Sequence, residues 1–168
     1  MSSLVSLRHF EFLLGMDRTR IVDIATRAPT FYRPFDIAKR GGRDWRHIDN
    51  PTGVLKEVQE VLYRKVLRDV PLPSDMVGGV PGRSVKQNAL VHLGQRTLIR
   101  MDLRNHFGRV SNRRVFEALR NELGCGTDIA RLITKLTTLN SRLPQGAATS
   151  AMLANLVFCT RCTNDVLA

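Results

Sequence analysis

Thr97-Leu98-Ile99-Arg100-Met101-Asp102-Leu103-Arg104-Asn105-His106-Phe107 decides how the rest of the chain is read. Aliphatic and β-branched residues run into a single carboxylate, the pattern of a short strand ending on Asp102. A buried carboxylate costs several kcal/mol unless something positive faces it. A divalent metal is one partner for Asp102. A helix start that it caps, or one of the chain's many arginines, is another. The stretch alone leaves all three open.

Working outward, the segment before it reads as a hairpin. Aromatic and β-branched residues in Phe31–Lys39 and Trp45–Ile48 flank Gly41-Gly42, which supply positive φ for a turn. Six residues separate Lys39 from Arg46, so pairing brings both cations to the tip region, facing one way. They form either a triphosphate or backbone clamp or an ordinary solvated basic hairpin. After the Asp102 stretch comes Leu143-Pro144-Gln145-Gly146-Ala147-Ala148-Thr149-Ser150, a tight loop entering a helix from Ser150 to Ala168. Its small side chains let a backbone or base approach closely. The Gln145 amide can bond a nucleotide or satisfy a turn.

The remaining segments read as helices and one Pro/Gly-rich loop. Leu4, Leu7, Phe10 and Leu14 share a face of a helix over residues 3–14 that stops at Gly15. A second helix, Asp17–Arg27, turns Ile21, Ile24 and Ala25 inward. A long helix over residues 53–69 carries Leu55, Val58, Leu62 and Leu67 on its apolar face. The loop over residues 71–84 ends in Gly82-Arg83-Ser84. Ser84 is a good N-cap for a helix from Val85 to Leu93, and Arg83 stands where a phosphate is favoured. Asn88 and His92 are four apart on that helix, placed to touch a nucleic-acid backbone or to hold the loop. Ser111–Leu123 and Asp128–Leu139 complete the helices.

The formal charge is +11, from 26 Lys+Arg against 15 Asp+Glu, with Arg far in excess of Lys. This points to a polyanionic partner, and the planar Arg fork suits phosphate. No apolar run approaches the roughly 18 residues of a membrane span. No helix sets its arginines opposite a clean apolar face, so no membrane partner is expected. The N-terminus lacks the order of a signal peptide. With three cysteines, Cys125, Cys159 and Cys162, this suggests a reduced, cytoplasmic protein. Cys159-x-x-Cys162 lacks a second ligand pair and reads as helix packing. Residues 1–143 hold 25 of the 26 basic residues, so the nearly uncharged tail should be buried, in this chain or against another.

Taken in order, residues 31–168 resemble the reverse transcriptases of bacterial retrons and, more loosely, those of group II introns. Phe35-Asp36-Ile37-Ala38-Lys39 through Arg46-His47-Ile48 is similar to the fingers hairpin, and Leu55-Lys56-x-x-Gln59 to the helix after it. Gly82-Arg83-Ser84 with Asn88-Ala89-x-x-His92 resembles a stretch typical of retron enzymes. Asp102-Leu103-x-x-x-Phe107 resembles the first metal-binding motif. Leu143-Pro144-Gln145-Gly146-Ala147-x-Thr149-Ser150, with Leu153-Ala154-Asn155-Leu156, resembles the templating loop and its helix.

The resemblance implies an α+β fold, the fingers and partial palm of a right-hand polymerase, helix-rich with a fingers β-hairpin and a short palm sheet. Residues 1–30 would be an N-terminal helical segment, 31–95 the fingers and 96–168 the partial palm. It implies RNA-templated DNA synthesis with Mg2+, Asp102 and the Leu103 carbonyl being metal ligands. Lys39 and Arg46 would neutralise the phosphates of a deoxynucleoside triphosphate. Phe107 would press on its sugar, and Gln145 and Gly146 would line its pocket. Arg83, Asn88 and His92 would contact nucleic acid. A structured noncoding RNA serving as template and primer, its cDNA, and a phage-defence effector are the implied partners.

Two departures bear on this. The family's Tyr-x-Asp-Asp motif is absent, with no adjacent Asp pair anywhere, and the thumb is absent too. One acid cannot hold two divalent cations. The expectation is therefore an N-terminal half, inactive alone and completed by a C-terminal chain carrying the other aspartates. The alternative is a non-catalytic RNA-binding scaffold or degenerate subunit. Phe107-Gly108-Arg109-Val110 stands where Phe-Pro-Ser-Ile is common, and Ala148 and Ala151 where proline is common.

Overall fold

A computed structural model describes residues 4–39, 41–42 and 44–166, with side chains through residue 159. Two helices open the chain. α1 (Leu7–Leu14) ends on Gly15 in the left-handed region, and α2 (Arg18–Arg27) is capped by the Asp17 carboxylate, which accepts from the Arg20 N–H at 2.9 Å. The expected burial of Leu4, Phe10, Leu14, Ile21, Ile24 and Ala25 holds. A 3-10 turn, Ala28–Phe31, leads into the hairpin β1 (Tyr32–Ala38) and β2 (Trp45–Pro51). Its antiparallel register sets Phe35 opposite Ile48, Asp36 opposite His47 and Ile37 opposite Arg46.

α3 (Gly53–Leu62) runs on through a π-helical turn, Tyr63–Leu67. The loop over residues 71–84 then reaches α4 (Val85–Leu90). α5 (His106–Arg109), α6 (Asn112–Asn121), α7 (Thr127–Thr137) and α8 (Ser150–Val166) follow. Ser111 caps α6 as its sequence predicts.

One core runs through the molecule. Phe10, Leu55, Leu62, Leu119, Ile133, Leu136 and Leu153 are fully enclosed, from α1, α3, α6, α7 and α8. Each such side chain contributes about 1.5–3 kcal/mol by leaving water. Gln59 of α3 lies in the same core. Its Nε2 donates to the Tyr32 hydroxyl at 2.9 Å and to the Leu136 carbonyl at 2.8 Å, tying the hairpin base, α3 and the end of α7 at one point. Its Oε1 is buried with no partner among the described residues.

The first half of α8 is buried as its composition predicts, through Met152, Leu153, Ala154, Leu156 and Val157. A second stripe on α8, at four-residue spacing, grips the long loop. Ala151 lies where a Cβ on Gly79 would come within 2.8 Å, Asn155 donates to the Gly78 carbonyl at 2.8 Å, and the Cys159 Sγ meets the Met76 Sδ at 3.3 Å. The side chains of Arg161, Cys162 and Asp165 lie outside the described residues, as does the expected helix start at Ser3.

The structure corrects the expectation at Asp102. Thr97–Asp102 is not a strand, and no palm sheet forms among the described residues. The two-stranded β1–β2 sheet is the sheet they contain. A strand is held by backbone hydrogen bonds to a neighbour, and no described segment makes them to this one. Its residues stand in water instead: Leu98 is 65% exposed, Ile99 81% and Met101 90%. The helix expected to reach Leu93 stops at Leu90 for a related reason, since none of its residues is buried. Its Ser84 cap is present and is strengthened by Gln87, whose side chain accepts from the Ser84 N–H at 2.8 Å.

Candidate functional site

The hairpin supplies the first wall. Directly opposed residues share a face, as do residues two apart. Lys39, Ile37, Phe35, Arg46 and Ile48 therefore lie on one face. Pairing continues past β1, with the Lys39 N–H donating to the Asp44 carbonyl at 2.7 Å, and the Lys39 Nζ is 3.8 Å from the Asp44 carboxylate. Both groups are exposed. The tip residues Arg40 and Arg43 lie outside the described residues.

The second wall is the loop over residues 143–149, seated on β2. The Asp49 N–H donates to the Gln145 carbonyl at 2.8 Å. Gly146 lies directly on the strand, where a Cβ would come within 2.7 Å of the Ile48 Cγ2 and 3.4 Å of the Asp49 carbonyl oxygen. With its φ of 118°, this position accepts only glycine without strain. Ser150 closes the loop by donating to the Pro144 carbonyl at 2.7 Å. Gln145 and Gly146 thus meet the hairpin at Ile48, two residues along the same face from Arg46.

Phe107 lies on α5, five residues past Asp102. It is half-buried against the core, its ring 5.7 Å from that of His106. The chain just after it pairs with the start of the loop, as the Leu143 N–H donates to the Val110 carbonyl at 3.1 Å. Asn105 enters α5 at a φ of 53°, and its amide lies where any side chain on Gly108 would have to go. Glycine there, in place of the family's common proline, makes room for it.

Asp102 and Leu103 line an open groove of about 700 Å³ with Arg104, His106, Arg109 and Arg114, backed by Ala154, Val157 and Phe158 of α8. One carboxylate among three arginines suits an anion better than a bare cation. Among the described residues no cluster of three or more His, Cys, Asp or Glu could hold a metal ion. Asp102 does not by itself fit a two-ion site.

The other sequence-predicted residues stand apart. The Arg83 guanidinium is spent on the loop, donating to the carbonyls of Pro73, Met76 and Leu72, the last at 2.8 Å. Asn88 and His92 are exposed on and just beyond α4. Reasoning from sequence missed Gln59 as a polar knot, and it missed a cross-strand triad. The His47 Nδ1 lies 2.8 Å from the Asp36 carboxylate, and its Nε2 lies 3.3 Å from that of Asp49. The hydrogen bond to Asp36, then the charges of Asp49 and Asp36, hold the imidazole above its ordinary pKa. The hairpin register was the signal that could have found it. Burial pushes the Tyr32 hydroxyl up to about 12, against the pull of its hydrogen bond from Gln59, and the Cys125 thiol to about 11.

Comparison with known proteins finds relatives over most of the chain. No protein-family model matches the chain. Retron Se72 reverse transcriptase of Salmonella heidelberg (strain 579083-10) is 29% identical over 153 residues, which cover 91% of this chain and 40% of that protein. Retron Ec86 reverse transcriptase of Escherichia coli is 30% identical over 127 residues, 75% of this chain and 39% of the relative. Retron Mx162 reverse transcriptase of Myxococcus xanthus is 32% identical over 171 aligned positions, which cover 91% of this chain and 33% of the relative. The chain thus spans between a third and two fifths of the length of these curated relatives. Matched over most of its own length at about 30% identity, it is a relative of the retron-type reverse transcriptases, a family of RNA-directed DNA polymerases.

Proposed function

We propose that this chain is the fingers and partial-palm part of an RNA-directed DNA polymerase of retron type. It makes cDNA from a structured noncoding RNA once a C-terminal segment adds the remaining carboxylates. One observation carries this reading: the Gln145–Gly146 loop is bonded to β2 beside the face that holds Lys39 and Arg46. A nucleotide bound on that face has the Lys39 and Arg46 cations for its triphosphate, and the loop seated on β2 closes the face beyond Arg46. Phe107, tied to the same loop through Val110, is the group for the sugar. Asn88 and His92 meet the RNA backbone, while Arg83 fixes the loop before them.

Asp102 and the Leu103 carbonyl contribute to a Mg2+ site only together with acids from that further segment. The bound ions would polarise the attacking hydroxyl and the leaving phosphate. The chain's own residues bind, orient and neutralise. The exposed apolar side chains of Leu98, Ile99 and Met101 support a further segment beside Asp102, since a strand pattern left in water lacks its neighbour.

The test is reconstitution. The chain is combined with a segment carrying Tyr-x-Asp-Asp, an RNA template and primer, Mg2+ and deoxynucleotides. cDNA is expected, and Asp102→Asn should bring it below detection. Activity surviving that change would remove Asp102 from the metal site. The absence of a three-acid cluster among the described residues favours a second reading, an RNA-binding scaffold without chemistry. It predicts salt-sensitive RNA binding, unchanged by Asp102→Asn, and no cDNA from any such mixture.

A further inference from the structure

A second open groove, of about 550 Å³, lies among α2, α6 and α7, and Asp102 is not part of it. Half-buried Phe116 and Leu132 form its apolar floor, and Arg18, Arg113, Arg131 and Lys135 stand exposed around it. Arg113 is drawn to Glu117 at 2.8 Å and Arg131 to Asp128 at 3.3 Å. Neither Arg18 nor Lys135 is in an ion pair among the described residues. Exposed pairs of this kind are weak, so an incoming phosphate can replace either carboxylate.

The placement of α6 says what the groove takes. Its successive residues Arg113 and Arg114 line different grooves, Arg113 this one and Arg114 the Asp102 groove, where it donates to the Arg109 carbonyl at 3.2 Å. The first turn of α6 is therefore shared by two basic grooves, and a polyanion can run from one to the other. An aromatic and an aliphatic floor under a cationic rim matches a strand with unpaired bases: rings below, phosphates above. We propose that this groove binds single-stranded nucleic acid as a track continuous with the Asp102 groove. The path of the strand rests on the polymerase reading. The binding itself needs no catalysis.

The experiment is anisotropy titration of the full chain with fluorescein-labelled oligouridine, without metal or nucleotides, over a series of salt concentrations. The triple variant Arg18→Gln, Arg131→Gln, Lys135→Gln should bind about 100-fold more weakly. Its salt slope should fall by about 2, at roughly 0.7 per lost phosphate contact. Lys135→Gln alone should shift binding in the same direction, by about fivefold. Phe116→Leu keeps an apolar floor and removes the ring, and should weaken binding roughly tenfold without changing the salt slope. A control with three exposed cations outside both grooves, Arg20→Gln, Lys56→Gln, Arg64→Gln, should stay within about threefold of the parent. Equal losses in the two triple variants would leave only diffuse charge and overturn the proposal. Competition by polyglutamate as strong as by unlabelled oligonucleotide would also overturn it, in favour of an acidic protein segment. If cDNA synthesis fails in reconstitution while these shifts appear, the polymerase reading falls and the track stands. cDNA synthesis without these shifts would do the reverse.

Discussion

The hairpin and the Asp102 stretch carry the same kind of sequence and meet opposite fates. Phe35, Ile37 and Ile48 sit in a paired ribbon, bonded along its length and braced by the 143–149 loop. Leu98, Ile99 and Met101 sit in a segment with no backbone hydrogen bond to another described segment and no regular structure. Strand propensity is a fit to a pleated surface and not a property of the backbone alone, so the same pattern folds only where a partner lies within reach. The hairpin carries its own partner across a short turn, whereas the Asp102 stretch does not.

The largest effect that sharpens this contrast is at the seat of the loop. Gly146→Val places a branched side chain against Ile48 in a backbone region it rarely adopts, and should cost about 3 kcal/mol in urea unfolding. A neutral result would mean that the loop and hairpin are not joined. Next, Gln59→Leu removes the donor shared by Tyr32 and Leu136 and leaves both buried acceptors unpaired. A loss of about 2 kcal/mol is expected, partly offset because the orphaned Oε1 goes too.

A smaller effect belongs to His47. Its folded pKa is raised, so its contribution is complete below the ordinary value of about 6.5 and disappears as pH climbs through the folded value. An NMR titration should give an imidazole midpoint above about 6.5, and Asp36→Asn should lower it. The smallest effect tests the other side of the comparison. Ile99→Ser with Met101→Ser should change the stability of this chain by less than about 0.5 kcal/mol, because both side chains are already in water. A cost above 2 kcal/mol would show that the stretch is packed, and the contrast would collapse.

Helix positions, caps and core faces were legible because each depends on neighbours close in sequence. Leu55, Val58 and Leu62 repeat at helical spacing, Ser84 and Ser111 precede their helices, and Gly15 ends one. The Gly41–Gly42 turn gave away the hairpin. The meeting of Gln145 and Gly146 with β2 was implied only by family resemblance, since it joins segments almost a hundred residues apart. Gln59 was unreadable as a core residue, because one polar group amid an apolar stripe gives no sign of which distant carbonyl it will meet. Arg83 illustrates a different difficulty. Its place before a helix start is correct for phosphate, yet three carbonyls of its own loop reach it first.

The grip of α8 on the loop over residues 76–79 has a consequence in time. Asn155 and Gly78 are 77 residues apart, and Cys159 and Met76 are 83 apart. Closing such spans costs chain entropy before any contact repays it, and non-local contacts slow folding. During synthesis the hairpin can zip as soon as Pro51 has emerged. The loop that delivers Arg83 and α4 is latched only when α8 arrives. Among the described elements the α4 segment is therefore tied down late, once α8 docks on the loop before it.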